Sequence, residues 1–145
     1  MTYAGFWKRF LAYIIDYFIV FIASFICGFM IGILLGILMA VFNINPQEAE
    51  AALSFAGALV GLSIWFLYFA IFESSKLQAT PGKLSIGIRV TGLNGERITF
   101  LRALGRTAAK IISVIILAIG FIMAAFTQKK QALHDIIAQT LVINK

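Results

Sequence analysis

Residues 10–42 read FLAYIIDYFIVFIASFICGFMIGILLGILMAVF, a stretch in which Asp16 is the single charge. About 20 apolar residues cross a hydrocarbon core of about 30 Å as a helix, so this run predicts a transmembrane span. Taken from Tyr17 to Phe42, its uncharged part alone would be about 39 Å long at 1.5 Å per residue. The helix must therefore tilt, or leave its first two turns at the interface. In the second case Tyr13, Asp16 and Tyr17 lie near headgroup depth, where aromatics are favoured and a carboxylate is less costly. A carboxylate within a bilayer marks a functional site by default, with a partner to be found. Arg9 stands seven residues before Asp16, on nearly the same helix face and about 10 Å away along the axis. The two are expected to share a polar site if the arginine extends.

The rest of the composition agrees with a membrane setting. Hydrophobic residues make up 61% of the 145 residues, with 14 Phe, and the mean hydropathy is +0.98; soluble domains are only about half apolar. The expected fold class is an all-α polytopic membrane protein, one domain over residues 1–145, embedded in the lipid bilayer. The net charge of +6 fits loop orientation better than a nucleic-acid partner, because the basic residues cluster between apolar segments. Cys27 is the only cysteine, which excludes a disulfide framework and a CxxC metal or redox motif. Lys8 and Arg9 before an apolar run imitate a secretory signal, but the run is far longer than such a signal's apolar core, so a retained anchor is expected.

Beyond the first span (about 10–42), Asn43 to Ala51 carries Glu48 and Glu50 without Lys or Arg, which predicts an outward-facing loop. A second span follows over about 52–73, closing at Glu73. From Lys76 to Lys110 seven basic residues face one acid, Glu96, which predicts a cytoplasmic segment together with the N-terminus and an inner-membrane location. Within it Ile86, Ile88 and Val90 alternate, and Asn94-Gly95 is a two-residue turn signal, so a β-hairpin is expected with Ile98 to Phe100 as its return arm. Arg102, Arg106 and Lys110 repeat every four residues on one side of a basic helix that would lie on the anionic leaflet or line a polar cleft. Residues 111–126 are apolar but short for a crossing. A full crossing would also export Lys129, Lys130 and Lys145, so a re-entrant hairpin or helix pair turning near Gly120 is expected, with a cytoplasmic tail over 127–145.

Gly28, Gly32 and Gly36 in the first span, and Gly57 and Gly61 in the second, form small-residue ladders of the kind that let membrane helices approach closely. The expectation is that the two spans pack on each other, with homo-oligomerisation or a foreign helix as alternatives. Asp16 is open to three roles: a salt bridge, cation binding or proton carriage. Glu73 lies at the same predicted membrane level, and Asp135 is a partner for Arg102 or Arg106. His134 without further ligands is not a zinc site. No cofactor is expected, and no nucleophile, metalloprotease, phosphate-loop or dinucleotide motif is present, so an enzymatic role is not expected.

Three blocks together carry a family resemblance: Gly5-Phe6-Trp7-Lys8-Arg9 through Asp16; Thr80-Pro81-Gly82-Lys83 with Gly87-Ile88-Arg89-Val90; and Leu133-His134-Asp135 with Ala138-Gln139-Thr140-Leu141-Val142. In these the chain resembles the bacterial RDD family of small membrane proteins. The resemblance implies that Arg9, Asp16 and Asp135 are the namesake residues. Gln139 stands where the family often has glycine. The resemblance further implies a transporter of an undetermined ligand, with sodium/proton exchange in some members, or an accessory subunit of membrane proteases or related complexes. Arg9, Asp16, Glu73, Arg106 and Asp135 are the candidate polar site. Two spans are few for an alternating-access carrier, so transport would require an oligomer.

Overall fold

The computed structural model describes residues 1–115 and 119–145. Two long helices dominate it, α1 (Phe6–Val41) and α2 (Pro46–Ser74), both long and apolar enough to cross a membrane. They are followed by α3 (Pro81–Ser85), β1 (Ile88–Gly92), α4 (Phe100–Ile115), α5 (Ile119–Phe126), α6 (Leu133–Ile137) and β2 (Thr140–Asn144). The expected helical membrane fold with a small sheet is what the chain adopts. The chain divides into two compact units, residues 18–65 and residues 1–17 with 66–145.

The unit of residues 18–65 is a helical hairpin. Its part of α1, Phe18–Val41, is about 36 Å long, and its part of α2, Pro46–Trp65, about 30 Å, each enough for a hydrocarbon core. Phe18, Phe21, Phe25, Phe29 and Phe55 are exposed, a surface that only lipid or another apolar partner solvates well. The second span begins earlier than Ala52, at Pro46. Asn45 Oδ1 accepts from Gln47 N at 3.1 Å, and proline at the first helical position lacks only an N–H that has no helical partner there. The glycine ladders face a common apolar cleft of about 800 Å³ lined also by Ile31, Leu35 and Val60. They do not interlock as expected: a Cβ built on Gly28, Gly32, Gly36, Gly57 or Gly61 would meet nothing within 4 Å.

In the other unit β1 pairs with β2 in antiparallel register, Val90 opposite Val142, and Ala4 N donates to Val142 O at 2.9 Å from the strand's other edge. This corrects the local hairpin. Asn94-Gly95 does turn the chain, with Gly92 N bonding Glu96 O at 2.8 Å and Gly95 at φ 88°, but Ile98–Phe100 adds no second strand. The strand partner is the β-patterned tail, whose Leu141 and Val142 bury with Ile88, Val90 and Ile98. Thr99 instead opens α4, its Oγ1 accepting from Arg102 N at 3.3 Å. The apolar stretch after Lys110 continues the basic helix to the end of α4 and resumes in α5, so the basic and apolar segments share one helix, and Gly120, expected at the turn, lies inside α5. A Cβ on Gly120 would lie 2.8 Å from Ser113 Cβ, so glycine is what lets α5 lie against α4. The connection at residues 116–118 lies outside the described residues.

Candidate functional site

Every expected polar-site residue lies in the unit of residues 1–17 and 66–145, but the pairing expected for Arg9 and Asp16 is not the one formed. Asp16 does not pair with Arg9. It is fully buried and accepts from Tyr68 Oη at 2.7 Å, from Gly82 N at 2.8 Å and from Thr80 Oγ1. Thr80 is the N-cap of α3 and Pro81 opens the helix. Gly82 has to be glycine, because a Cβ there would lie 2.4 Å from Ala12 O and 2.7 Å from Asp16 Oδ1. The Thr80-Pro81-Gly82 part of the Thr80-Pro81-Gly82-Lys83 block is therefore a clasp that closes α3 around the Asp16 carboxylate.

Arg9 turns instead to Asp135. Its Nε donates to Ala4 O at 2.9 Å and its Nη1 pairs with Asp135 Oδ2. The cause lies in the tertiary structure. Helix α6 begins after Ala132, whose N–H bonds the Asp135 carboxylate at 3.2 Å, and this points the side chain back toward α1 and α4. Arg106, 2% exposed, joins the two acids: Nε and Nη2 donate to Asp135 Oδ1 at 2.9 and 2.6 Å, and Nη1 donates to Glu73 Oε2 at 2.7 Å. The other oxygen of Glu73 takes Lys83 Nζ at 2.8 Å, with Lys110 Nζ at 3.6 Å. Of the two partners anticipated for Asp135, Arg106 is the one used. Arg102 bonds Ala138 O at 2.7 Å and Gln139 O, covering the end of α6.

Four basic groups, Arg9, Lys83, Arg106 and Lys110, thus share two carboxylates, Glu73 and Asp135, in a buried network. Burial by itself would raise the Asp135 carboxyl, but Arg106 and Arg9 overcome this and hold it well below its ordinary value. Burial would lower Arg106, but Glu73 and Asp135 raise it above its ordinary value. Lys110 is pushed down to about 7 by burial, with Glu73 only partly compensating. Its ammonium also sits 3.5 Å from the centre of the Phe69 ring. Burial lowers His134 to about 3, so the ring is neutral, 3.5 Å from Ser113 Oγ and in contact with Phe121. Among the described residues no group of three or more metal-ligating side chains converges.

The network borders a cavity of about 430 Å³, walled by Phe6, Phe10, Tyr13, Phe121 and Ile122 and faced by Arg9, Lys83, Arg106, Lys110 and His134. Sequence reasoning missed Lys83 and Lys110 as members of the site. For Lys110 the signal was the four-residue repeat with Arg102 and Arg106, whose polar-cleft alternative describes Arg106 and Lys110. For Lys83 it was the position directly after a helix-opening Thr-Pro-Gly.

The chain is 40% identical over 148 residues to the uncharacterized protein YxaI of Bacillus subtilis (strain 168), an alignment covering 98% of this chain and 97% of that protein. It is 28% identical over 150 residues to the uncharacterized membrane protein YteJ of the same organism, covering 99% and 82%. No solved structure matches it. The RDD family model matches residues 3–139, a stretch that holds Arg9 and Asp135 with the arginine that joins them to Glu73 as well as the separately clasped Asp16. This chain therefore belongs to the RDD family.

Proposed function

We propose that this membrane protein is a non-enzymatic transporter of the bacterial inner membrane that works as a homo-oligomer. Its N-terminus and its charged unit stand on the cytoplasmic side, and the ligand site is the network of Arg9, Lys83, Arg106 and Lys110. The observation that carries this reading is the buried excess of basic groups beside a partly open cavity, which is expensive to maintain and has the chemistry of a binding site. Asp16 takes a structural role here. Tyr68, Thr80 and the Gly82 N–H all donate to its oxygens, which supports a fixed structural carboxylate. Ion exchange, in this reading, runs through the basic network. The positive-inside distribution supports the orientation, and the open glycine-lined cleft offers a surface on which a second copy's helix can pack.

A second reading, an accessory subunit of another membrane complex, is favoured by the presence of only two helices long enough to span among the described residues. Flux assays in proteoliposomes separate the two, with sodium, proton and organic-anion gradients applied to wild type, Lys110→Gln and Asp16→Asn at matched incorporation. The transport reading expects flux in wild type, its loss in Lys110→Gln without loss of fold, and reduced folded yield in Asp16→Asn. Absence of flux in well-folded wild type under every gradient transfers the weight to the accessory reading.

A further inference from the structure

The cavity beside the network combines two properties that seldom occur together. Apart from the Tyr13 phenol, the ionisable side chains on its wall are basic: Arg9, Lys83, Arg106, Lys110 and His134 face it, while Glu73, Asp135 and Asp16 do not. The rest of its lining is aromatic and aliphatic, and Phe10, Val114 and Ile122 on that side are also exposed to the surroundings of the protein. A purely inorganic anion would leave that apolar wall unused, and a neutral apolar molecule would leave the cations uncompensated.

A specific donor is waiting at the polar end. Arg9 uses Nε on Ala4 O and Nη1 on Asp135, but its Nη2 is buried and has no acceptor within the protein. A buried donor without an acceptor is costly, and such groups call for a missing partner. The size of the space limits what that partner is. At about 30 Å³ per water-sized group, 430 Å³ holds on the order of fourteen such groups, enough for a small anionic head and one medium-length chain.

We propose that the cavity binds an anionic amphiphile, with a carboxylate or phosphate head at Arg9 Nη2 and Lys110, which line the same cavity, and a single apolar chain between Phe6, Phe10, Tyr13, Phe121 and Ile122. The inference rests on reading the basic network as a ligand site and names the class of ligand. The exposed apolar rim at Phe10 and Ile122 gives such a molecule a path in from lipid.

The test is binding to the full-length chain in nanodiscs of zwitterionic lipid, by displacement of a fluorescent fatty acid. The competitors are decanoate, decyl phosphate, phosphatidic acid, decanol and inorganic phosphate. Decanoate and decyl phosphate are expected to displace the probe saturably, and decanol and inorganic phosphate are not. Displacement by phosphatidic acid as well assigns the ligand to bilayer lipid, with one of its two chains in the cavity and the other left outside the rim; failure of phosphatidic acid alone assigns it to a single-chain acid, and both sustain the proposal. Lys110→Gln should weaken decanoate about ten- to a hundredfold, the range for losing a charged hydrogen bond. Ile122→Trp, at an exposed rim position, should block the chain while leaving the fold intact. Equal displacement by decanol and decanoate, displacement by inorganic phosphate alone, or unchanged affinity in folded Lys110→Gln and Ile122→Trp would overturn it. Binding without flux would refute transport and leave this site standing, whereas ion flux without amphiphile binding would do the reverse.

Discussion

Replacing Gly82 with alanine tests the clasp around Asp16 with a single methyl group. The new Cβ would lie 2.4 Å from the carbonyl oxygen of Ala12 and 2.7 Å from Asp16 Oδ1, and ordinary contact begins at 3.4 Å. The gap to Ala12 must open by about 1.0 Å (3.4 minus 2.4). That oxygen is main chain within α1, so it cannot rotate away. The simplest relief is for α3 to withdraw, which takes Gly82 N–H, and Thr80 with it, off a fully buried carboxylate. Overpacking costs about 1–3 kcal/mol, and a weakened hydrogen bond to a charged acceptor about 1.5–3 kcal/mol. Together they predict a loss of about 2.5–6 kcal/mol. Reversible unfolding in mixed micelles, followed by circular dichroism, would measure it, with Gly36→Ala as the comparison because nothing lies within 4 Å of its Cβ. Combining Gly82→Ala with Asp16→Asn should cost clearly less than the sum of the two single changes, since both disrupt one contact. Wild-type stability in Gly82→Ala, an equal loss in Gly36→Ala, or strict additivity with Asp16→Asn would refute the argument.

Removing Arg106 as Arg106→Met leaves Glu73 and Asp135 buried without their shared partner and should cost about 3–5 kcal/mol; a folded yield and melting temperature equal to wild type would contradict the network's role. The depressed Asp135 carboxyl makes a pH prediction. Its folded-state value lies below the ordinary 3.8, so its stabilising contribution is complete above about pH 4 and is lost as acid carries the folded protein down through that lower value. Asp135→Asn should therefore be less stable at neutral pH, and its stability should fall less steeply between pH 4 and pH 2, by up to about 1.4 kcal/mol per pH unit; identical slopes would count against it. Gln139 occupies φ 52°, a left-handed conformation that favours glycine. Gln139→Gly should stabilise the chain by up to about 1 kcal/mol, read as a rise in melting temperature, and a fall would show that the side chain contributes more than the backbone strain costs.

The Gln139 position also shows why some features were legible early and others were not. The resemblance located a site where glycine is common, but only the backbone angle explains why. The spans were legible because hydrophobic length is a one-dimensional property: a run such as Phe18 to Phe42 needs no partner to declare what solvent it suits. The turn at Asn94-Gly95 was legible for a related reason, since it depends on two adjacent residues. The return arm was not, because strand pairing is settled by competition between distant segments. Thr140–Asn144 presents buried Leu141 and Val142 to the core, while Thr99 serves better as the start of α4.

The charged site follows the same division. Sequence by itself singled out Arg9, Asp16 and Glu73 as candidates, because charges at the ends of apolar segments are costly and stand out against their surroundings, while Asp135 came from the resemblance and Arg106 as a partner for it. Tertiary structure alone decided the pairing. Arg9 lies on the same helix face as Asp16, yet folding brings Asp135 from 126 positions away to its guanidinium and sends Thr80 and Gly82 to Asp16. Helical periodicity specifies where a side chain leaves its own helix. Which opposite charge it meets depends on how α6 and α3 close over α1, and that is set by the packing of the whole unit.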